Sequence, residues 1–450
     1  MIVFLLILSV AMTWYVVRRT GYLSPAGFAC IFSLASMLFF CWIGLLGGYR
    51  VYPAGGLSFK LNDYSDVALR VLLCYTIYLL VVGLSTIGLS KDKTVDQSSI
   101  EKARTLLKKV FDSNGAVVFA FFLAFLSLCH YFILFIDPYP ADLPNKAVTK
   151  LCGYICAAAA CVIVYCWSPR KYLAVFIASL VLVAEYQFVL RDYSRWCPVI
   201  VAVFGLIMAS RRKSAGKSIV SFGTVFCALL SLYLYMFVLQ FKFYRIEQPG
   251  LDFVLPQLMK VEISGNSLCQ VVINLLQGPL VLAEAIRMSP VDYTTKYRVL
   301  SFSPLISAID HFNRILYQEW RVNSHTPFNN FAELYNFGLR YIVFYAVMTF
   351  ISMRQVTSIY LRFGPLYGFL LVAPIYDPIV ILHQYEIRTA FRKIIYTALL
   401  SHIIATELFK TVRTHARQSR AFYNRSQVIA RRMELIEQAN RLASQGSAQE

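Results

Sequence analysis

Charge is scarce in this sequence. Asp, Glu, Lys and Arg make up 15% of its 450 residues, against about a quarter in an ordinary soluble domain. That excludes a normal soluble enzyme, and the 58% hydrophobic content excludes a disordered chain. Nucleotide and hydrolase signatures are missing too. There is no Walker loop, dinucleotide fingerprint, H-E-x-x-H pair or G-x-S-x-G elbow, so nothing points to ATP hydrolysis or an obligatory metal. No solenoid-type repeat is visible. The eleven cysteines form no disulfide framework: most sit inside apolar runs, as Cys152, Cys156, Cys161 and Cys166 do, where cysteine acts as a small hydrophobe. Cys152-x3-Cys156 only loosely suggests metal, with no His nearby in sequence, and only Cys269 reads as a loop residue. No basic residue precedes the first apolar run, which starts at Ile2 and is followed by Arg18 and Arg19. This favours a retained first helix that starts outside over a cleaved signal peptide.

What is present is a series of apolar runs of bilayer-spanning length, with a mean hydropathy of +0.58. They predict an all-α polytopic membrane protein of about eleven spans. The spans are read near 2–17, 27–49, 67–89, 115–136, 148–167, 172–190, 196–210, 219–241, 339–353, 363–382 and 394–409. The net charge of +19 invites a nucleic-acid partner, but its distribution argues against one. Alternation from an outside start puts Arg18–Arg19, Lys91 to Lys109, Arg170–Lys171, Arg211 to Lys217 and the tail from Lys410 all on the inner side. That is the positive-inside pattern, which reports orientation.

Four regions follow: an N-terminal bundle over 1–242 with about eight spans, an outer loop over 243–338, about three spans over 339–409, and a basic amphipathic tail over 410–450. The loop carries seven Lys/Arg and eight Asp/Glu and is rich in Tyr, Phe and Asn. It is too apolar for disorder and is expected to form a folded cap of helices over the membrane domain.

The most informative stretch is NSHTPFNNFAELYNFG over 323–338. Pro327 suits a first helical turn with Ser324 or Thr326 as cap, predicting a helix from about 327 towards the span at 339. Asn329 and Glu333, four apart, would share a face. A helix N-terminus favours anions and disfavours imidazolium, so His325 just before it would stay neutral and act as a general base beside an anion site. The bland alternative is a capped helix start with an incidental surface histidine. The turn Arg191-Asp-Tyr-Ser-Arg195 offers two guanidinium forks for a phosphate, or simply charges that snorkel at a membrane boundary. Glu185, deeper in the same helix, is costly there unless paired or facing a cavity. Among the outer-loop cations Arg245, Arg287, Arg298, Arg314 and Arg321, the last two are two helical turns apart with Tyr317 between. They form either a basic aromatic face or a solvated one. Asp377 lies between Pro374 and Pro378, which predicts a broken helix there; it would either line a functional cavity or play a local role such as capping a helix or pairing with Arg388.

The stretch from His325 to Gly338 resembles the motif of Wzy-type O-antigen polymerases and the related O-antigen ligases. There a histidine, a polar or aromatic turn and an acidic residue precede a glycine opening a spanning helix. The large outer loop and the arginines at a short outer turn resemble that group as well, although Leu339-Arg340-Tyr341 follows Gly338 where the family often has a second glycine. The resemblance implies a GT-C-like glycosyltransferase of the bacterial inner membrane. It would join oligosaccharide repeats carried on undecaprenyl diphosphate at the periplasmic face, and a chain-length regulator is the further partner such a polymerase admits. His325 would deprotonate the acceptor hydroxyl, Arg191 and Arg195 would hold the diphosphate leaving group, and Glu333 would orient His325 or a sugar hydroxyl. Arg314 or Arg321 would contact the second diphosphate, with Asn329 among the substrate-binding residues. No cofactor is implied, because the energy lies in the diphosphate linkage.

The nearest alternative is the ligase, which moves finished polymer onto a lipid A core. A flippase or other transporter would instead spread charge through the bundle and show internal halves. A membrane acyltransferase would use an intramembrane histidine, and His130 and His402 each read as solitary.

Overall fold

The computed structural model describes residues 1–48, 63–89, 114–136, 145–166, 171–191, 194, 196–214, 217–241, 251–305, 311–312, 314–315, 319–323, 326–363, 386–392, 394–396, 398–399 and 402. The described chain is overwhelmingly helical and forms a multi-pass membrane protein. Among the described residues, seven helices are long and apolar enough to cross a bilayer, or eight if one bent pair counts as a span. The first bundle holds α1 (Ile2–Thr20), α2 (Pro25–Gly44), α3 (Ala68–Ser85) and α14 (Leu339–Phe363). The second holds α4 (Gly115–Ile136), α5 (Asn145–Tyr165), α6 (Tyr172–Arg191), α7 (Trp196–Ser214) and α8 (Phe222–Phe241). Each bundle has its own apolar core.

Small and polar residues decide how closely these helices approach, as expected where lipid is as apolar as the core. Ser9 on α1 hydrogen-bonds Thr76 on α3 (3.1 Å), and Gly83 leaves the space that Met12 fills. In the second bundle Gly153 on α5 lies against the Trp196 ring of α7. Between α1 and α2 the turn is tighter than the sequence indicates. Gly21 takes a φ of +89°, a left-handed backbone that costs glycine little, and Ser24 caps α2 by accepting from the Gly27 N–H. The predicted end of the ninth span at 353 extends to Phe363. Arg354, just beyond that predicted end, lies mid-helix and donates to the carbonyls of Ser85 and Ile87 at the end of α3 (3.2 and 2.7 Å), where a cation also meets the helix dipole.

The segment before α14 contributes α9 (Leu251–Leu258), α10 (Gly265–Leu276), α11 (Gly278–Met288), α12 (Thr295–Ser301) and α13 (Asn330–Phe337). It also carries a short antiparallel pair, β1 (Arg321–Asn323) and β2 (Thr326–Pro327). Cys269 belongs to α10 rather than to a loop. Helices α10 and α11 meet at 62° and together are apolar enough for one broken span. Leu280, Leu282, Ala283 and Ile286 of α11 sit in the same core as Phe40 and Leu72. This part of the expected cap is therefore built into the first bundle. Of the last two predicted spans, 363–382 lies outside the described residues apart from Phe363, and 394–409 is helical at the positions described. The tail from 410 and Asp377 also lie outside them.

Candidate functional site

The motif helix α13 starts three residues later than the sequence predicts. Pro327 pairs with Arg321 in the β1–β2 ladder, so the chain is extended there. Asn329 is the cap, its Oδ1 accepting from the Ala332 N–H (2.9 Å). The dipole argument that would keep His325 neutral loses its basis, because the field of a helix end fades within a turn. His325 and Arg195 themselves lie outside the described residues; Arg191 is the last residue of α6. Arg321 stands in β1 rather than on a helical face with Arg314; it is 49% exposed and pairs with Glu319 (3.0 Å). Arg314 is exposed after a tight turn at His311.

Each polar residue of α13 and its cap anchors the helix to a different neighbour. Asn329 donates to the Gly278 carbonyl at the start of α11 (2.7 Å). Asn330 donates to the Tyr345 hydroxyl on α14 (2.9 Å). Asn336 accepts from the Ser289 hydroxyl and the Val291 N–H (both 3.0 Å), fixing the link from α11 to α12. Glu333 is fully buried. One carboxylate oxygen accepts from the Tyr297 hydroxyl of α12 (2.9 Å), the other from the Ile387 N–H (2.7 Å). Asn329 is expected to bind substrate and Glu333 to orient His325 or a sugar hydroxyl; the structure has both inside the core with their polar atoms engaged. The apolar side of α13 is as firmly held, with Phe331 against Tyr75 (4.9 Å) and Phe337 against Tyr293 (5.0 Å). Gly338, at φ +96°, ends α13 and opens α14. No atom crowds its missing Cβ, so conformation rather than space asks for glycine there.

Burial pushes the Glu333 carboxyl up to about 8, with the nearby Glu386 adding to the rise and the Ile387 and Tyr297 hydrogen bonds opposing it. Burial likewise pushes the Tyr297 hydroxyl well above its ordinary range. Between an ordinary glutamate value and about 8, the folded chain therefore holds a proton that the unfolded chain has lost, and stability falls as pH rises through that window. Glu333→Gln mimics the protonated acid: its carbonyl accepts from Ile387 and its amide donates to Tyr297. The melting temperature in detergent should fall from pH 5 to pH 9 for the parent and stay level for E333Q. Parallel curves would remove the proton from Glu333.

Two further residues complete this hub, neither of them assigned there by the sequence, which had offered Arg388 only as a partner for Asp377. Tyr297 is one, and Arg388 is the other. The Arg388 side chain, in a residue 1% exposed, donates to the Leu300 carbonyl and to the Leu305 carbonyl (3.1 Å) while its guanidinium lies 4.1 Å over the Phe312 ring. Arg287 pairs with Asp66 (2.6 Å) and stacks on Tyr64. The asparagine density of 329–336 was the available signal that this helix anchors rather than floats.

A second constellation lies in the other bundle. His130 on α4 is not solitary: its Nδ1 is 2.9 Å from Glu185 Oε2 on α6. The other oxygen of Glu185 accepts from Ser127 (2.5 Å), so the buried acid is paired, as its cost in the membrane requires. Cys152 Sγ on α5 lies 3.6 Å from both imidazole nitrogens, so a histidine does stand beside Cys152. Phe188 closes one side of the ring with centroids 4.8 Å apart.

No family model, no curated protein and no solved structure matches this chain.

Proposed function

We propose that the chain is a polymerase of the bacterial inner membrane that joins oligosaccharide repeats carried on undecaprenyl diphosphate at the periplasmic face. The observation that supports this is the anchoring of α13. The helix that carries the acid of the His325–Gly338 motif is tied to α11, α12, α14 and Ile387, which makes it a rigid support for the strand just before it. Preorganised supports of this kind are what a reaction between two large lipid-linked substrates needs.

In the reaction, His325 takes the proton of the acceptor sugar hydroxyl. That oxygen bonds to the anomeric carbon of the donor as the bond from that carbon to the diphosphate breaks. Undecaprenyl diphosphate leaves with the electron pair, and Arg191 and Arg195 stabilise the charge it gains. Arg321 or Arg314, both exposed, takes the second diphosphate. Glu333 and Asn329 act as positioning residues. An arrangement of about eleven spans in a GT-C-like fold belongs to the same proposal, as does a chain-length regulator as partner.

One observation favours a second reading. The intramembrane His130–Glu185 pair is of the type that marks proton routes in transporters, which fits a proton-coupled flippase for lipid-linked sugars. A deletion strain separates the readings. Its lipopolysaccharide should run on a gel as core carrying one repeat, with polymer restored by the intact gene. Core without any repeat would overturn the polymerase in favour of a ligase or a flippase.

A further inference from the structure

Three helices of the second bundle bring unlike ligand atoms to one depth. His130 is six residues before the end of α4, Cys152 seven after the start of α5, and Glu185 six before the end of α6. At 1.5 Å per residue each lies roughly 9–11 Å from the same end of the bundle. All three are buried, and one ligand atom from each falls within 4.8 Å of the others.

From this geometry we propose that His130, Cys152 and Glu185 form a structural site for a zinc-class divalent cation. The bond lengths of tetrahedral zinc put nitrogen and sulfur ligands about 3.6 Å apart and nitrogen and oxygen ligands about 3.3 Å apart. The cluster has His130 Nδ1 3.6 Å from Cys152 Sγ and 2.9 Å from Glu185 Oε2. A cation replacing the proton between imidazole and carboxylate opens that pair by a few tenths of an ångström, and because the sulfur is equidistant from both ring nitrogens the imidazole must also turn to direct one nitrogen's lone pair at the shared cation.

Charge supports the same assignment. A thiolate, a carboxylate, a neutral imidazole and a divalent cation sum to zero, which suits a site walled by Phe188 and the apolar faces of three helices. Mixed sulfur, nitrogen and oxygen donors select zinc over magnesium or calcium. Ser127, donating to the free oxygen of Glu185, orients that ligand from behind. The fourth position falls to water, which keeps the sum of charges at zero. The site clamps α4, α5 and α6 beneath the turn that begins at Arg191.

The test uses the full chain, untagged, in detergent. After chelator treatment it is titrated with zinc, with elemental analysis as readout, and with cobalt, whose bond to a thiolate gives a charge-transfer absorption. The parent should take up one equivalent of either metal, show that absorption and melt at a higher temperature when loaded. Cys152→Ser should lose the absorption and bind at least 100-fold more weakly. His130→Gln, read in the same way, covers the case in which Cys152→Ser does not fold. A stripped parent that takes up no stoichiometric metal, or a folded variant that binds like the parent, overturns the site. Because metal content and not polymer is read, that result would leave the polymerase proposal standing.

Discussion

His325→Ala should leave cells with single repeats on their lipopolysaccharide core and no polymer, while the protein remains inserted at the parent's level. A positioned general base contributes 10²- to 10⁴-fold to a proton-transfer step, and chain growth multiplies that loss at every added repeat. His325→Gln should do no better, since the amide keeps hydrogen bonding but does not take the proton. The reading is specific to the side chain. Its neighbours in the chain are held by backbone pairing of Asn323 with Thr326 and of Arg321 with Pro327, which an alanine at 325 leaves alone. A variant that still builds polymer of normal length would return His325 to an incidental surface histidine. Gel profiles and membrane abundance, measured on the same cells, decide between these outcomes.

Arg388→Ala should be the most destabilising single change in the motif hub. The side chain is buried, bridges two carbonyls on either side of Phe302 and stacks on Phe312. Removing it strips two buried acceptors of a charged donor and opens a cavity against an aromatic ring, which together cost roughly 3–5 kcal/mol. Arg388→Lys keeps the charge but not the fork, and a single ammonium does not span both carbonyls as a guanidinium does. It should recover less than half of the loss. The check is thermal unfolding in detergent at fixed pH and lipid content. An alanine variant that melts within a degree or two of the parent would mean that α12 and the 387–392 helix are held by other contacts.

Much of the fold was legible in the sequence because spanning helices must be long and apolar throughout. The runs starting at Ile2, Gly115, Tyr172 and Phe222 needed only length and hydropathy. Boundaries failed where a residue's partner was remote. The ninth span read as ending at 353, yet Arg354 sits mid-helix, its guanidinium donating to the carbonyls that end α3. The motif helix was placed three residues early because Pro327 suits a first turn as well as it suits an extended pair. Only the partner strand β1 decides between them. The site was less legible for the same reason. Spacing along one helix puts Cys152 on a face, but which helix turns His130 towards it depends on the packing of α4 and α6, which no single segment encodes. Glu333 was visible as an acid in a motif. That its two oxygens are taken by Tyr297 and Ile387 follows from elements 36 and 54 residues away.

The central claim is that this chain forms glycosidic bonds between lipid-linked repeats. It is tested most directly by reconstituting the purified protein in vesicles with synthetic repeats on undecaprenyl diphosphate and following products by mass spectrometry. The account predicts lipid-linked dimers and longer chains, with one undecaprenyl diphosphate released per bond formed and none formed by His325→Ala. Repeats that cross to the other leaflet unchanged, or that move only when a lipid A core is supplied, would contradict it.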